Sequence, residues 1–194
     1  MRSIRRLQLV AGVLVGAGVS ARAVASFTTT TNFADWQAAV PGFTTIDFVG
    51  IQGYIHDTYA PLGVVFDAND FGLALPTAPD GWAASGSGGG GAFIQPQFFD
   101  DQFALGIFFI GAVDVRLYSN GALLFESGTV ATFGPWKFLG ITSTIGFDFV
   151  QIEDPEDGVV AIDNLYFGGA VPAPGVAVTV GIASLLGFGP RRRR

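Results

Sequence analysis

The feature that most constrains the fold is a series of short apolar runs separated by turn residues. Residues 103–110 (FALGIFFI) are almost wholly apolar, which predicts a strand covered on both faces. Residues 112–118 alternate between apolar and polar, and residues 122–126 (ALLFE) form another apolar run. Asn120-Gly121 separates these two runs, and Asn-Gly at such a place is a strong signal for a β-hairpin.

Runs of the same kind recur along the chain, with turns rich in glycine, proline, aspartate and serine between them. Several short strands joined by such turns predict an all-β sandwich or barrel. A parallel sheet would need many crossover helices, and the sequence shows few helical patterns. We therefore expect a jelly-roll-like antiparallel β-sandwich. The further predicted strands are residues 45–48, 62–66, 136–141, 145–152 and 159–167.

One short helix is predicted near the start of the domain. Asn32 is a favourable N-cap, and Phe33, Trp36 and Val40 recur at helical spacing on one face. Pro41, followed by glycine, ends the pattern. We expect Trp36 to pack this helix on the sheet.

Charge is distributed unevenly along the chain. Residues 26–170 contain all sixteen acidic residues but only Arg116 and Lys137 as bases, which gives a formal charge of −14. Such a surface repels nucleic acid phosphates and anionic lipid headgroups, so we expect no nucleic acid partner. It suits divalent cations, basic partners or neutral sugars, or serves solubility alone. The chain has no cysteine, which excludes disulfides and thiol chemistry.

The N-terminal segment has the anatomy of a secretory signal peptide. Residues 1–6 are basic, residues 7–20 are apolar, and small residues follow up to Ala25. The apolar part is short compared with the roughly 20 residues that a membrane span needs. We therefore expect residues 1–25 to be removed on export, with an uncleaved anchor as the alternative.

The C-terminal segment has three parts in a fixed order. Val171-Pro172-Ala173-Pro174 cannot continue a strand, residues 176–189 are apolar, and Arg191, Arg192, Arg193 and Arg194 end the chain. Arginines after an apolar helix are held on the cytoplasmic side of a membrane. The sequence thus predicts a β-sandwich domain over residues 26–169, and a hydrophobic C-terminal helix within residues 170–194 that inserts transiently in the membrane.

This C-terminal segment resembles a PEP-CTERM sorting signal, through Val171, Pro172, Pro174, the apolar run and the arginine cluster. Ala173 stands where the family usually has glutamate. The resemblance implies an exosortase-type sorting enzyme as partner and an exopolysaccharide-producing Gram-negative host. It also implies delivery to the cell surface or the extracellular space from a membrane-inserted precursor. A plain membrane anchor is the alternative.

The domain itself resembles the exported β-sandwich domains that often carry such a signal. The similar stretches are Phe33-x-x-Trp36, residues 46–48, residues 59–66 and residues 162–165. This resemblance implies an exported structural or adhesive protein of the cell surface or of an exopolysaccharide-based biofilm matrix.

Calcium is the cofactor that the acidic residues would suit, because it takes several hard oxygen ligands. Asp67 and Asp70 lie together in one predicted loop, and Asp163 lies in the last strand. Simple alternation places Asp163 on the same face as Leu165 and Phe167, where a carboxylate needs a hydrogen bond, a base or a metal. The alternative is a strand end that faces water.

Sugar recognition would use exposed aromatic rings as stacking platforms. Trp82 in a glycine-rich loop, Trp136, Tyr54 and Tyr59 are the candidate ligand-binding residues. The alternative for Trp136 is packing against the core, and the alternative for Trp82 is a loop that folds back.

An enzyme is not expected. His56 is the single histidine and no nucleophile motif accompanies it. No spacing singles out a pair among the carboxylates Asp100, Asp101, Glu126 and Glu153 as a general acid and base. The preferred function is therefore the structural or adhesive one. The alternative is a carbohydrate-binding module, calcium-dependent or not, and a hydrolase comes third.

Overall fold

The computed structural model describes residues 25–86, 93–131, 135–155, 158 and 160–169. The predicted signal peptide, apart from Ala25, lies outside these residues. So does the sorting signal, with Val171, Pro172, Pro174 and Arg191 to Arg194, and so does the glycine run 87–92. Within the described part of the chain, no helix has the length and hydrophobicity needed to cross a membrane.

The described chain is an antiparallel β-sandwich with one short α-helix, as predicted. The helix α1 is Phe33–Ala39, and a 3-10 turn covers Ala60–Leu62. The strands are β1 (Phe27–Thr30), β2 (Thr44–Ile46), β3 (Gly53–Tyr54), β4 (Val64–Val65), β5 (Phe71–Ala74), β6 (Trp82–Ser85), β7 (Phe93–Ile94), β8 (Gln97–Ile110), β9 (Ala112–Ser119), β10 (Ala122–Glu126), β11 (Val130–Ala131), β12 (Lys137–Glu153) and β13 (Ala161–Gly168).

Two long strands, β8 and β12, connect the layers of the sandwich. The first half of β12 pairs with β1 and with the second half of β8, which in turn pairs with β13. β13 also pairs with β2 along one stretch and with β6 along another. Beyond β6 the sheet continues with β5 and then β3. The second half of β12 pairs with β9 and β7, and β10 extends that layer.

The main core lies between the two layers. The alternating residues of β9 behave as the sequence predicts, because Val113, Val115 and Leu117 are fully buried while Arg116 and Tyr118 reach the outer face. The loss of this apolar area from water is the main stabilising contribution to such a fold.

A second cluster covers the outer face of the first layer under α1. Trp36 is 1% exposed and packs there with Phe138 and Tyr166. Its indole N–H donates to the carbonyl oxygen of Ile141 at 3.4 Å. Asn32 caps the helix by accepting from two backbone N–H groups, as predicted. β8 is therefore covered on both faces over its second half, as its apolar sequence indicates.

Several boundaries differ from the prediction. Residues 136–141 and 145–152 were expected as two strands, but they form the single strand β12 with an irregularity between Thr142 and Phe147. Residues 62–66 give only the two-residue β4, because Leu62 belongs to the preceding 3-10 turn. The strands β5 and β6 were missed, since their sequences are rich in glycine and alanine.

A bulge in β13 changes the face on which Asp163 lies. Asp163 is opposite Phe108, whereas Leu165 is opposite Ile107, so the register shifts by one residue between them. The extra residue is Asn164, whose φ is +53°. The expectation that Asp163 shares a face with Leu165 and Phe167 is therefore wrong, because the bulge turns its side chain toward the outer face of the layer.

Candidate functional site

An open groove lies beside α1, between the helix and the start of β12. It has a volume of about 680 Å³, which is within the usual range for a small-molecule site. Its lining residues are Thr31, Asn32, Phe33, Phe108, Val130, Ala131, Trp136, Lys137 and Phe138. We call it the Trp136 groove.

The aromatic part of this groove belongs to the cluster under α1. Phe33 and Phe108 are half-buried, with ring centroids 5.5 Å apart, and Phe33 also packs edge-to-face on Phe138. Because these rings are held by the helix and by two strands, they form a rigid floor. Trp136 is half-buried at the side of this floor.

Trp136 presents its ring rather than its polar atom. Its Nε1 is buried and has no hydrogen-bond partner in the described part of the chain, although the side chain as a whole is partly exposed. The accessible surface of the indole is therefore carbon, which suits stacking on a flat apolar surface of a ligand. Of the four aromatic residues predicted for ligand binding, Trp136 is the one that lines this groove.

A second, hydroxyl-rich groove adjoins the first and shares Thr31 and Val130 with it. It has a volume of about 360 Å³ and is also lined by Thr29, Thr30, Ser127 and Leu139. Thr30 accepts from the Asn32 N–H at 3.1 Å. The hydroxyls of Thr29 and Thr31 make no hydrogen bond within the described residues, so they are able to meet a polar ligand. We call it the threonine groove.

Two of the other predicted ligand-binding residues, Tyr59 and Trp82, lie against the core instead, whereas Tyr54 is exposed. Tyr59 packs on Phe48 and Phe66, with ring centroids 5.7 and 5.8 Å away, and its hydroxyl is buried. Burial, with a smaller contribution from the Asp47 carboxylate, raises the pKa of Tyr59 to about 12. Trp82 begins β6 and packs half-buried on the main core. Tyr59 and Trp82 thus pack on the core and line neither groove.

Two exposed aromatic side chains lie away from the grooves. Tyr54, on the short strand β3, is 73% exposed, and Phe99, in β8, is 62% exposed. Phe99 donates its backbone N–H to the carbonyl of Gly63. Neither lines the Trp136 groove, which makes Phe99 a useful reference position for mutation.

An ionic cluster on the outer face of the second layer holds Glu126 and Glu153, two of the four carboxylates considered for acid–base catalysis, whereas Asp100 and Asp101 lie apart from it in β8. Arg116 contacts Asp114 at 3.0 Å, Glu126 at 2.8 Å and Glu153 at 2.6 Å. This guanidinium lowers the pKa of Glu126, whereas burial raises the pKa of Asp114. A general acid needs a carboxyl that keeps its proton near neutral pH, so Glu126 next to Arg116 is poorly suited to that role.

His56 occupies a small surface depression. Its Nδ1 contacts the carbonyl oxygen of Phe66, and its Nε2 is 3.4 Å from the Asp57 carboxylate. The imidazole is about half exposed. A backbone carbonyl can only accept, so Nδ1 carries the hydrogen, and no hydroxyl nucleophile contacts the ring in the described part of the chain.

The acidic residues predicted for metal binding do not come together. Asp67 and Asp70 do lie in one loop, where Asp70 accepts the backbone N–H groups of Asp67 at 3.1 Å and Gln95 at 2.9 Å. Asp163 is in β13, where it contacts Asp80. Among the described residues no three acidic or histidine side chains form a group that could hold a metal ion. The three predicted residues are therefore not the ligands of one ion.

Comparison with known proteins gives distant structural similarity. No protein-family model and no curated protein matches the chain. Solved mutants of the carbohydrate-binding module CBM29-2 are similar: one has 15% identity and a TM-score of 0.41, covering 69% of this chain and 96% of that chain. Another, complexed with mannohexaose, has 13% identity and a TM-score of 0.39, covering 68% and 96%. At these values the similarity says nothing about ligands.

Proposed function

We propose that the domain is a non-catalytic carbohydrate-binding module that holds its ligand in the Trp136 groove. The proposal rests on one observation: the half-buried Trp136 lies beside an aromatic floor, and a groove lined by threonine hydroxyls adjoins it. Sugars offer both an apolar C–H face, which stacks on aromatic rings, and hydroxyl groups, which exchange hydrogen bonds with side chains. The Trp136 groove and the threonine groove provide these two kinds of contact side by side.

The charge of the domain favours an uncharged polysaccharide. Of the two bases in residues 26–170, Arg116 is held by three carboxylates, and Lys137 at the groove is a single positive charge in a strongly acidic domain. A polymer with a carboxylate on each sugar would meet a repulsive field over most of the surface. The proposed ligand class is therefore a neutral glycan, such as a stretch of exopolysaccharide.

Export and sorting form the second part of the proposal, and they rest on the sequence at the two ends. A secreted domain delivered through an exosortase-type signal would meet polysaccharide at the cell surface. Binding of that polysaccharide would retain the protein in the matrix, so a structural or adhesive role and a glycan-binding groove are compatible.

The test is a binding measurement with two neutral and one acidic ligand. Full-length protein is titrated with cellohexaose, mannohexaose and an alginate oligosaccharide of similar length, using calorimetry. We expect saturable binding of at least one neutral hexasaccharide and weaker or undetectable binding of alginate. Trp136→Ala should weaken neutral-sugar binding at least tenfold, a loss of about 1.4 kcal/mol or more, because it removes the apolar ring on which the sugar would stack.

Phe99→Ala is the matched control, because it removes an exposed aromatic ring away from the groove. Thermal unfolding of both variants establishes that they are folded. Equal affinities for wild type and Trp136→Ala, or stronger binding of alginate than of either neutral sugar, would contradict the proposal.

A further inference from the structure

The buried carboxylate of Asp163 lacks a partner for one of its oxygens. Asp163 is 0% exposed. Its Oδ1 accepts from Asn164 Nδ2 at 2.9 Å, and the backbone N–H groups of Asp80 and Asn164 also face the carboxylate, whereas Oδ2 is buried and makes no hydrogen bond of normal geometry among the described residues. A buried, incompletely paired carboxylate is costly, and such groups are normally neutralised by a base, a proton or a metal ion.

Within the part of the chain that the structure describes, no basic side chain supplies this neutralisation. Arg116 is occupied by its three carboxylates, and Lys137 makes no ion pair with any described residue. The group that does face Asp163 is a second carboxylate, that of Asp80. The bulge at Asn164 is what turns Asp163 toward it and away from the main core.

The register of β13 and β6 explains how Asp80 comes to this position. Ala161 is opposite Ser85 and Ile162 is opposite Ala84, so the antiparallel pairing carries Asp163 toward the turn that precedes β6. Asp80 lies in that turn, where one of its oxygens, Oδ1, accepts the Trp82 N–H at 3.0 Å. Asp80 is exposed, so the carboxylate pair is accessible from solvent on its side.

We propose that Asp80 and Asp163 together bind a divalent cation, with Ca²⁺ as the fitting ion. Ca²⁺ takes six to eight oxygen ligands at roughly 2.3–2.6 Å and accepts water and backbone carbonyls beside carboxylates. Two carboxylates in contact supply the charge, and the exposed side of Asp80 admits water for the remaining positions. A strongly acidic domain also raises the local concentration of cations at its surface.

The cation would connect the turn before β6 with the last strand of the domain. Asp163 is also the register partner of Phe108, which lines the Trp136 groove. The site is nevertheless a separate property of the chain, and its test does not depend on whether the groove binds sugar.

The experiment measures Ca²⁺ binding and thermal unfolding of the full chain at pH 8. Wild type, Asp163→Asn and Asp80→Asn are compared in EGTA and in CaCl₂ at about one hundred times the dissociation constant. We expect calorimetric binding of one Ca²⁺ and a rise of about 5–10 °C in the unfolding midpoint of wild type. Both variants should show no heat of Ca²⁺ binding, and CaCl₂ should raise their unfolding midpoints much less than that of wild type.

Asp67→Asn is the matched control, because it removes a carboxylate from the other acidic loop. It should keep the full response to Ca²⁺. The proposal is overturned if Asp163→Asn binds Ca²⁺ as well as wild type does, or if Asp67→Asn loses the response instead. It is also overturned if Ca²⁺ has no effect while acidification from pH 8 to pH 6 stabilises wild type but not Asp163→Asn, since the two carboxyls would then share a proton.

Discussion

Gly140 lies directly beneath the indole ring of Trp36, and a Cβ atom at that position would come within 2.3 Å of Trp36 Cδ1. Gly106 is opposite Gly140 in the neighbouring strand, and a Cβ there would be 3.4 Å from the same ring. The two glycines leave a flat area of sheet on which the tryptophan of α1 lies. The position of the helix on the sheet is thus determined by the absence of two side chains as well as by the apolar face of the helix.

Gly140→Ala should therefore displace Trp36 and destabilise the domain. Overpacking of a tightly packed core costs about 1–3 kcal/mol, and we expect a loss in the upper part of that range, measured as the free energy of unfolding in urea. Gly169→Ala is the control, because a Cβ at Gly169 would meet nothing within 4 Å. Equal stability of Gly140→Ala and wild type would mean that α1 shifts without cost.

Replacing Arg116 should destabilise the second layer in a pH-dependent way. Arg116→Met leaves Asp114, Glu126 and Glu153 facing one another without a counter-charge. Asp114 is buried, and removing the partner of a buried charge costs about 2 kcal/mol or more. We expect Arg116→Met to lower the free energy of unfolding, measured in urea, at pH 7. The decrease should be smaller at pH 4, because protonation of the carboxylates weakens their repulsion.

Arg116→Lys should recover only part of this stability, because an ammonium group cannot form the same fork of contacts to three carboxylates. Full recovery by lysine would indicate that charge alone, rather than the geometry of the guanidinium, holds the cluster together. A loss in Arg116→Met that is the same at pH 7 and pH 4 would contradict the electrostatic explanation.

Deprotonation of Asp70 should lower the stability of the domain as the pH rises from about 4 to about 6. Burial in the first place raises the pKa of Asp70 to about 6, although the backbone N–H groups of Gln95 and Asp67 oppose the shift. In the unfolded chain an aspartate titrates near 3.9. The folded state therefore binds more protons in this interval, and stability is lost on raising the pH.

Asp70→Asn removes that titration while leaving a carbonyl oxygen to accept the two N–H groups. As the pH rises from 4 to 7, the unfolding midpoint of Asp70→Asn should increase relative to that of wild type. A difference that stays constant across this interval would show that Asp70 is not protonated near pH 5 in the folded state.

The hairpin between β9 and β10 should depend on Gly121. Asn120 and Gly121 have φ values of +50° and +78°, in a left-handed region that glycine adopts freely, that asparagine tolerates and that alanine disfavours. Gly121→Ala should cost about 1 kcal/mol or slightly more, measured by urea unfolding. Asn120→Gly keeps the turn geometry available and should change the stability little. If alanine at 121 were as stable as glycine, the turn would have to change its type.

Removal of the four C-terminal arginines should alter the fate of the exported protein. In its native host, wild type should lose residues near Val171-Pro172 and appear outside the cell, because the arginines hold the precursor for processing. A chain that lacks Arg191 to Arg194 should escape this processing. Intact mass and cell fractionation check the prediction, and a full-length tail retained in the membrane fraction of wild type would indicate a plain anchor.

The parts of the fold that follow a simple period could be predicted from the sequence. Alternation gave the core face of β9, and Asn120-Gly121 gave the hairpin. The capped helix with Trp36 on its buried face was predicted for the same reason, since its apolar spacing is regular. These elements depend on local patterns of one strand, one turn or one helix.

Features that depend on register could not be predicted in this way. A single extra residue, Asn164, reverses the face of Asp163, and no residue type marks a bulge in advance. Asp80 did not stand out because its meeting with Asp163 follows from pairing between distant strands. The Trp136 groove likewise combines residues 31–33 with residues 108, 130, 131 and 136–138, which only the folded chain brings together. Trp136 itself could be proposed, but Trp82 and Tyr59 carried the same aromatic signal and belong to the core.

Because β8 and β12 run through both layers, the two layers should unfold cooperatively. Neither layer has its own separate set of strands, because pulling one away would extract half of β8 and half of β12 from the other. Partial opening should therefore be confined to the short peripheral strands. The two faces of the sandwich should be lost together in a single transition, so that the domain either resists proteases as a whole or becomes open to cleavage in both layers at once.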